Sequence, residues 1–242
     1  VTENRVRAVL FDAGLTLIRA VSTSSEVAAP VLLAHNVEFD PDILDSVMAD
    51  AERYLESQWT AGDWFVSEQG VRRLFVDAYR DALCRLPALE GDSAAIDMLG
   101  GEIYDSYLDI RHWSAYPDVE PTLAALHRAG MAMGVVSDWG HGLEALVLEL
   151  ELGRYLQFLV VSSRLGVTKP DPYVFEMALR RIGVDAAEAL FVGDTYVKDV
   201  LGARAAGVRP ILLDRSGGAP RVDCPVVHSL LEVLPLLGVP PL

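Results

Sequence analysis

Lysine is almost missing from this chain. Of its 20 basic residues, 18 are arginine, and only Lys169 and Lys198 are lysine. A compact ammonium and a planar guanidinium differ most in a tight anion site, so the two positions that keep lysine are singled out. Cysteine is scarce as well. Cys84 and Cys224 have no metal-ligand spacing, which excludes a zinc module, and they read as two buried free thiols in a reducing cytoplasm. No apolar run reaches the roughly 18 residues of a spanning helix, and the opening VTENRVRAVL lacks a signal-peptide pattern. Positive charge is in deficit, with 35 acidic against 20 basic residues and a formal net charge of −15. That balance excludes nucleic acid and anionic membranes as main partners. An anionic substrate must therefore be held by a local arrangement, because the global field repels it.

What is present is a large apolar inventory, 51% of the residues, enough for a full core. Val6–Phe11 reads as a buried strand that ends abruptly on Asp12, Ala13 and Gly14. Roughly the next hundred residues carry helical periodicity and no convincing strand. Asp40-Pro41 opens one helix, Ser67-Glu68 a second, and a third runs near 95–108. Arg19, Trp59, Trp64, Arg72, Arg73 and Trp113 in and beside this stretch read as packing rather than as substrate contacts. From about Asp118 strands and helices alternate: strands at 131–136, 158–161, 190–192 and 210–213, helices at 120–128, 143–150, 173–182, 197–206 and 229–237. Alternation of this kind implies a parallel sheet with right-handed crossovers, which the first strand must join in order to be buried. The expected fold is α/β: a Rossmann-like doubly wound parallel sheet from residues 1–17 and 114–242, with an all-helical domain inserted over 18–113.

Four of the expected strands are followed by polar groups on their carboxyl side, where open parallel sheets bind ligands. They are Asp12; Ser137-Asp138; Thr168-Lys169-Pro170-Asp171; and Gly193-Asp194, with Asp199 five residues on. Each alone has a bland reading as a helix cap or turn residue. Four in this order are hard to assign to chance.

The segments FDAGLTL, VVSD, VTKPDPYVF and FVGDTYVKD resemble motifs I to IV of the haloacid dehalogenase-like (HAD) hydrolase superfamily. The helical insert resembles the C1 cap of its subfamily IA. The resemblance implies a Mg²⁺-dependent phosphatase acting on a small phosphorylated, anionic metabolite. Asp12 would be the nucleophile and form an aspartyl-phosphate. Lys169 would sit against it, and Ser137, Asp138 and Thr16 would bind the phosphoryl group. Asp12, the carbonyl of Gly14, Asp194 and Asp199 would hold the ion. A cap that closes to exclude water, a cytoplasmic location, and a monomer or homodimer complete the expectation.

Motif I departs from the phosphatase pattern DxDGT. Its second aspartate, the general acid and base, is Gly14 here, and its glycine is Leu15; only Thr16 remains. General acid–base catalysis typically contributes about 10² to 10⁴ in rate, so leaving groups that depart unprotonated are expected to be favoured. Asp138 or His141 is a candidate replacement, and an aspartate restored at position 14 is expected to raise activity if space permits. Two alternatives remain: a metal-independent 2-haloacid dehalogenase, and a catalytically weak binding module on the same fold. A Schiff-base branch is excluded, because the insert has no lysine.

Overall fold

The structure, a computed structural model, describes residues 6–58, 62–218 and 221–240. The chain divides into two compact units, Val1–Arg19 with Ala115–Leu242, and Ala20–Ser114.

The first unit is built on a six-stranded parallel sheet. Its strands lie among β1 (Ala8–Phe11), β2 (Ile18–Ala20), β3 (Trp113–Ala115), β4 (Ala132–Ser137), β5 (Leu159–Val161), β6 (Ala189–Gly193), β7 (Arg209–Leu213) and β8 (Val226–Val227). The order is β5-β4-β1-β6-β7-β8, while β2 and β3 pair with each other. β1 is therefore central: the chain runs outward from it through β4 and β5, then returns to its other side for β6 to β8. All four residues of β1 are fully buried. Strands covered on both faces read as continuous apolar runs, which is why AVLF does not alternate. The register sets Phe11 beside Val135 on one side and Val192 on the other. The three strands thus end together, at the point where the strand order reverses. Phe175 and Phe191, edge to face with centroids 5.0 Å apart, sit in the core beside Leu10 and Val136.

The second unit is helical, with α1 (Ser24–Ala34), α2 (Pro41–Gln58), α3 (Glu68–Leu83) and α4 (Ser93–Tyr107). Asp40 and Ser67 cap α2 and α3 through their side-chain oxygens, as the pattern predicts. Met48, Leu74, Tyr79 and Ile103 are buried together in its core. Arg72 is packed on the Tyr104 ring and bonded to Asp105 at 3.0 Å, and the Trp113 indole donates to the Tyr107 carbonyl at 2.7 Å. Trp59 lies outside the described residues.

Four sequence expectations differ from the structure. Helix α1 has no counterpart in the sequence reading, and it carries inside it Pro30, normally a break. A reciprocal cap fixes its start: Thr23 Oγ1 accepts from Glu26 N–H, and the Glu26 carboxylate accepts from Thr23 N–H. Strands β2 and β3 lie where no strand was expected, being too short, at three residues each, to display a period. The helix expected at 197–206 is instead a π-helical turn, Tyr196–Leu201, followed by a short α segment, Gly202–Ala205. Finally, the cysteines are not two buried thiols. Cys84 is exposed at the end of α3, where its thiol donates to the Asp81 carbonyl, and Cys224 is half-buried.

Candidate active site

The site starts from the end of β1. The Asp12 backbone N–H still donates to Val192 O at 2.9 Å, so the strand delivers this carboxylate at the sheet's edge with its backbone fixed. Asp12 is 6% exposed. Its Oδ1 accepts from Lys169 Nζ at 2.6 Å and from Ser137 Oγ, at the end of β4, at 3.1 Å. Lys169 stands in the segment before the helix Pro172–Ile182, which Asp171 caps by accepting from Tyr173 N–H at 2.9 Å. The same ammonium donates to Asp199 Oδ1 at 2.7 Å, and Asp199 Oδ2 accepts from Thr195 N–H at 2.8 Å. Any Cβ at position 193 would overlap the Asp199 carboxylate, which accounts for the glycine that ends β6.

A second ion pair lies beside the first. Lys198 Nζ donates to Asp138 Oδ2 at 2.9 Å, and Asp138 Oδ1 accepts from the Lys169 backbone N–H at 3.0 Å. Both lysines of the chain are therefore held in this cluster, each against a carboxylate. The π-helical turn presents the adjacent residues Lys198 and Asp199 to two different partners; such turns occur frequently at functional sites.

The electrostatics are unbalanced. Burial pushes the Asp12 carboxyl up to about 6; Lys169 opposes the shift and Asp199 adds to it. Burial, together with the charges of Asp12 and Asp199, pushes Asp194 up to about 7. Burial would lower Lys169, but Asp12, Asp199 and Asp138 outweigh it and hold the ammonium charged. One ammonium faces more than one negative charge, so the pocket has a surplus of anion in its interior.

The expected site residues do not all play equivalent parts. Among the described residues, no three acidic, histidine or cysteine side chains are grouped to hold a metal ion. Asp199 is the carboxylate least suited to join such a set, since both its oxygens are already engaged. Thr16 is wholly buried; its hydroxyl has no hydrogen-bond partner and its carbonyl accepts from Arg215 at 2.8 Å. The two candidate replacements for the missing acid differ: Asp138 has both oxygens committed, and His141 is exposed in the turn before the helix Leu143–Glu149.

Sequence reasoning passed over two residues here and gave a third, Leu15, no conformation. Trp139 lays its indole on Gly14, and its backbone N–H donates to Ser162 Oγ at 3.2 Å. Arg215 donates to the Leu15 and Thr16 carbonyls and pairs with Asp118 at 2.9 Å. Leu15 takes the left-handed conformation, φ 56°. This last had a legible signal: the motif's glycine at that position is the residue a left-handed backbone favours. Together with Asp194, Leu15, Tyr116 and Arg215 line a cavity of about 470 Å³.

Comparison with known proteins agrees with this architecture. The chain is 37% identical over 147 residues to haloacid dehalogenase-like hydrolase domain-containing protein 3 of Danio rerio, a match covering 60% of this chain and 61% of that protein. It is 38% identical over 106 residues to the phosphoserine phosphatase of Thermus thermophilus, covering 43% of each. The crystal structure of a 2-haloacid dehalogenase from Pseudomonas syringae superposes with a TM-score of 0.65 at 28% identity, over 96% of this chain and 97% of that one. The model of the haloacid dehalogenase-like hydrolases matches residues 6–207, and the chain belongs to that family.

Proposed function

We propose that this chain is a Mg²⁺-dependent phosphatase that acts on a small phosphorylated metabolite through an aspartyl-phosphate at Asp12. The observation that carries the reading is the Asp12 carboxylate, buried at the end of the central strand with one oxygen held by Lys169 and Ser137. Two hydrogen bonds fix its orientation, and a fixed nucleophile next to a cation is what in-line attack on phosphorus requires. Lys169 would also meet the developing charge on the phosphoryl oxygens, with the Ser137 hydroxyl and the Asp138 backbone N–H as further donors.

The anionic surplus supports a divalent cation. An attacking carboxylate and a phosphoryl group about 4 Å apart repel by roughly 4 kcal/mol at an effective dielectric of about 20. The elevated Asp12 and Asp194 carboxyls mark where positive charge would be stabilising. Both are hard oxygen donors of the kind Mg²⁺ prefers, and with the Gly14 carbonyl they would hold the ion. Asp199 would act indirectly, as the counter-ion that positions Lys169. When bound, the ion would neutralise charge between nucleophile and substrate. Similarity to a phosphoserine phosphatase favours a phosphoric monoester.

A dehalogenase is the second reading, favoured by the 28% identity to a 2-haloacid dehalogenase and by the glycine at position 14. Halide leaves without a proton and needs no acid. The experiment that separates the two is a screen of phosphate esters and 2-haloacids with Mg²⁺ and with EDTA, followed by mass spectrometry of Asp12. Phosphate release that requires Mg²⁺, a phosphoryl adduct on Asp12, and loss of both in Asp12→Asn are expected. Halide release that persists in EDTA would replace the phosphatase reading.

A further inference from the structure

Position 14 is glycine for a reason its backbone does not supply. Gly14 lies outside the left-handed region, so an L side chain would meet no conformational penalty there. Space is what it lacks: a Cβ would stand 2.8 Å from Cζ3 of Trp139, inside van der Waals contact with the edge of a rigid ring. The indole fills the volume that any side chain two residues past the nucleophile would take. No group that gives or takes a proton can be carried there while Trp139 keeps its place.

The other ionisable groups around Asp12 are committed. Lys169 bridges Asp12 and Asp199; Asp199 spends its second oxygen on Thr195 N–H; Asp138 is tied at both oxygens, to Lys198 and to Lys169 N–H. Asp194 is the carboxylate proposed to meet the metal ion.

We propose that Trp139 is a specificity-determining residue which, by closing position 14, restricts the chain to phosphoryl compounds whose leaving group is a weak base. Acyl, enol and aryl phosphates share that chemistry. The inference rests on the phosphatase reading above. In the first step an Asp12 oxygen forms a bond to phosphorus, and the bond from phosphorus to the leaving oxygen breaks. That oxygen takes the electron pair and departs as a carboxylate, enolate or phenolate, with no proton transferred. In the second step water attacks the phosphorus of the aspartyl-phosphate. Asp12 is released as a carboxylate, and both protons of the water stay on the phosphate. Neither step calls on a side chain to donate a proton. An alkoxide leaving group would need one, and loses the typical ~10² to 10⁴ that general acid catalysis supplies.

The test compares kcat/KM, with Mg²⁺ present, for acetyl phosphate, p-nitrophenyl phosphate and glycerol phosphate. It is run on the natural chain and on Gly14→Asp, Trp139→Gly and the double variant. In the natural chain, acetyl and p-nitrophenyl phosphate are expected to exceed glycerol phosphate by at least about a hundredfold. Gly14→Asp alone is expected to leave glycerol phosphate no better, and the double variant to raise it about tenfold or more. The natural-chain series stands even if a variant fails to fold. Equal turnover of all three substrates by the natural chain overturns the inference while leaving the phosphatase reading in place. Loss of that glycerol phosphate turnover in His141→Ala would then identify the donor. A gain from Gly14→Asp with Trp139 in place overturns the steric argument. No phosphate release from any substrate, with no adduct on Asp12, overturns both the inference and the reading beneath it.

Discussion

The two units of this chain use positive charge in opposite ways. In the helical unit every cation with a described ion pair, histidine aside, is an arginine, and those pairs lie open to solvent; Arg80 and Asp97, for example, are each about half exposed. In the α/β unit the two lysines are withdrawn into the site, with Lys169 only 4% exposed. Exposed pairs contribute about 0–1 kcal/mol, because water already solvates both partners. A buried cation between two carboxylates is different in kind: its loss leaves charge in the interior with nothing to neutralise it. The positive charge beside the nucleophile is thus carried by two lysines, while Arg215, paired with a mostly buried Asp118, braces the Leu15 and Thr16 carbonyls nearby.

The sharpest way to break this contrast is Lys169→Met. Asp12 and Asp199 would then face each other without their shared cation, and a loss of about 3–5 kcal/mol is expected in a denaturant titration. A change near zero would mean the site relaxes by taking up protons at no cost. Next in size is the dependence on pH. The Asp12 and Asp194 carboxyls are raised to about 6 and about 7 from an ordinary 3.8. The folded metal-free protein therefore binds protons more tightly than the unfolded chain. The contribution of these two carboxyls to stability is fully present below about 4 and is lost as pH rises through 6 to 7. Tm without metal is expected to fall between about pH 5 and pH 8, and Mg²⁺ to raise Tm more at the higher pH; a flat profile that ignores Mg²⁺ would contradict the anionic surplus. Arg80→Ala, on the exposed side of the comparison, is expected to cost less than about 1 kcal/mol in the same titration. The smallest effect belongs to Leu15→Gly, which relieves a left-handed leucine. A gain of no more than about 1 kcal/mol is expected, with any loss of turnover reporting that the exposed side chain contacts substrate.

Much of the α/β unit is legible in sequence because its strands are buried on both faces and each ends on a polar group. Asp12, Ser137, Lys169 and Asp199 come together as their positions after the strands imply, and the rarity of lysine points to the pair that the structure gathers. What stays hidden depends on contacts between distant segments. Nothing in DAGLT says that an indole two residues past the end of β4 will occupy the space beside Gly14. On sequence alone an aspartate at 14 is a plausible repair; in the structure the Trp139 indole occupies the space such a side chain would enter. Nor does GDTYVKD say that Asp199 will spend both oxygens on Lys169 and Thr195. Helix α1 is obscured for a local reason, since Pro30 lies inside it and its apolar residues Val27, Ala28 and Leu32 find their burial only in the folded unit.

The π-helical turn at 196–201 has a consequence for how this site can change over evolutionary time. Neighbouring residues on an ordinary helix point about 100° apart, and on this wider turn two consecutive side chains brace separate walls of the site, Lys198 against Asp138 and Asp199 against Lys169. The extra residue that widens the coil works as a spacer. Excising one position would restore ordinary winding and swing one brace away from its wall. Substitutions at the other positions of this stretch leave Lys198 and Asp199 in place, whereas a single-codon deletion displaces one of them.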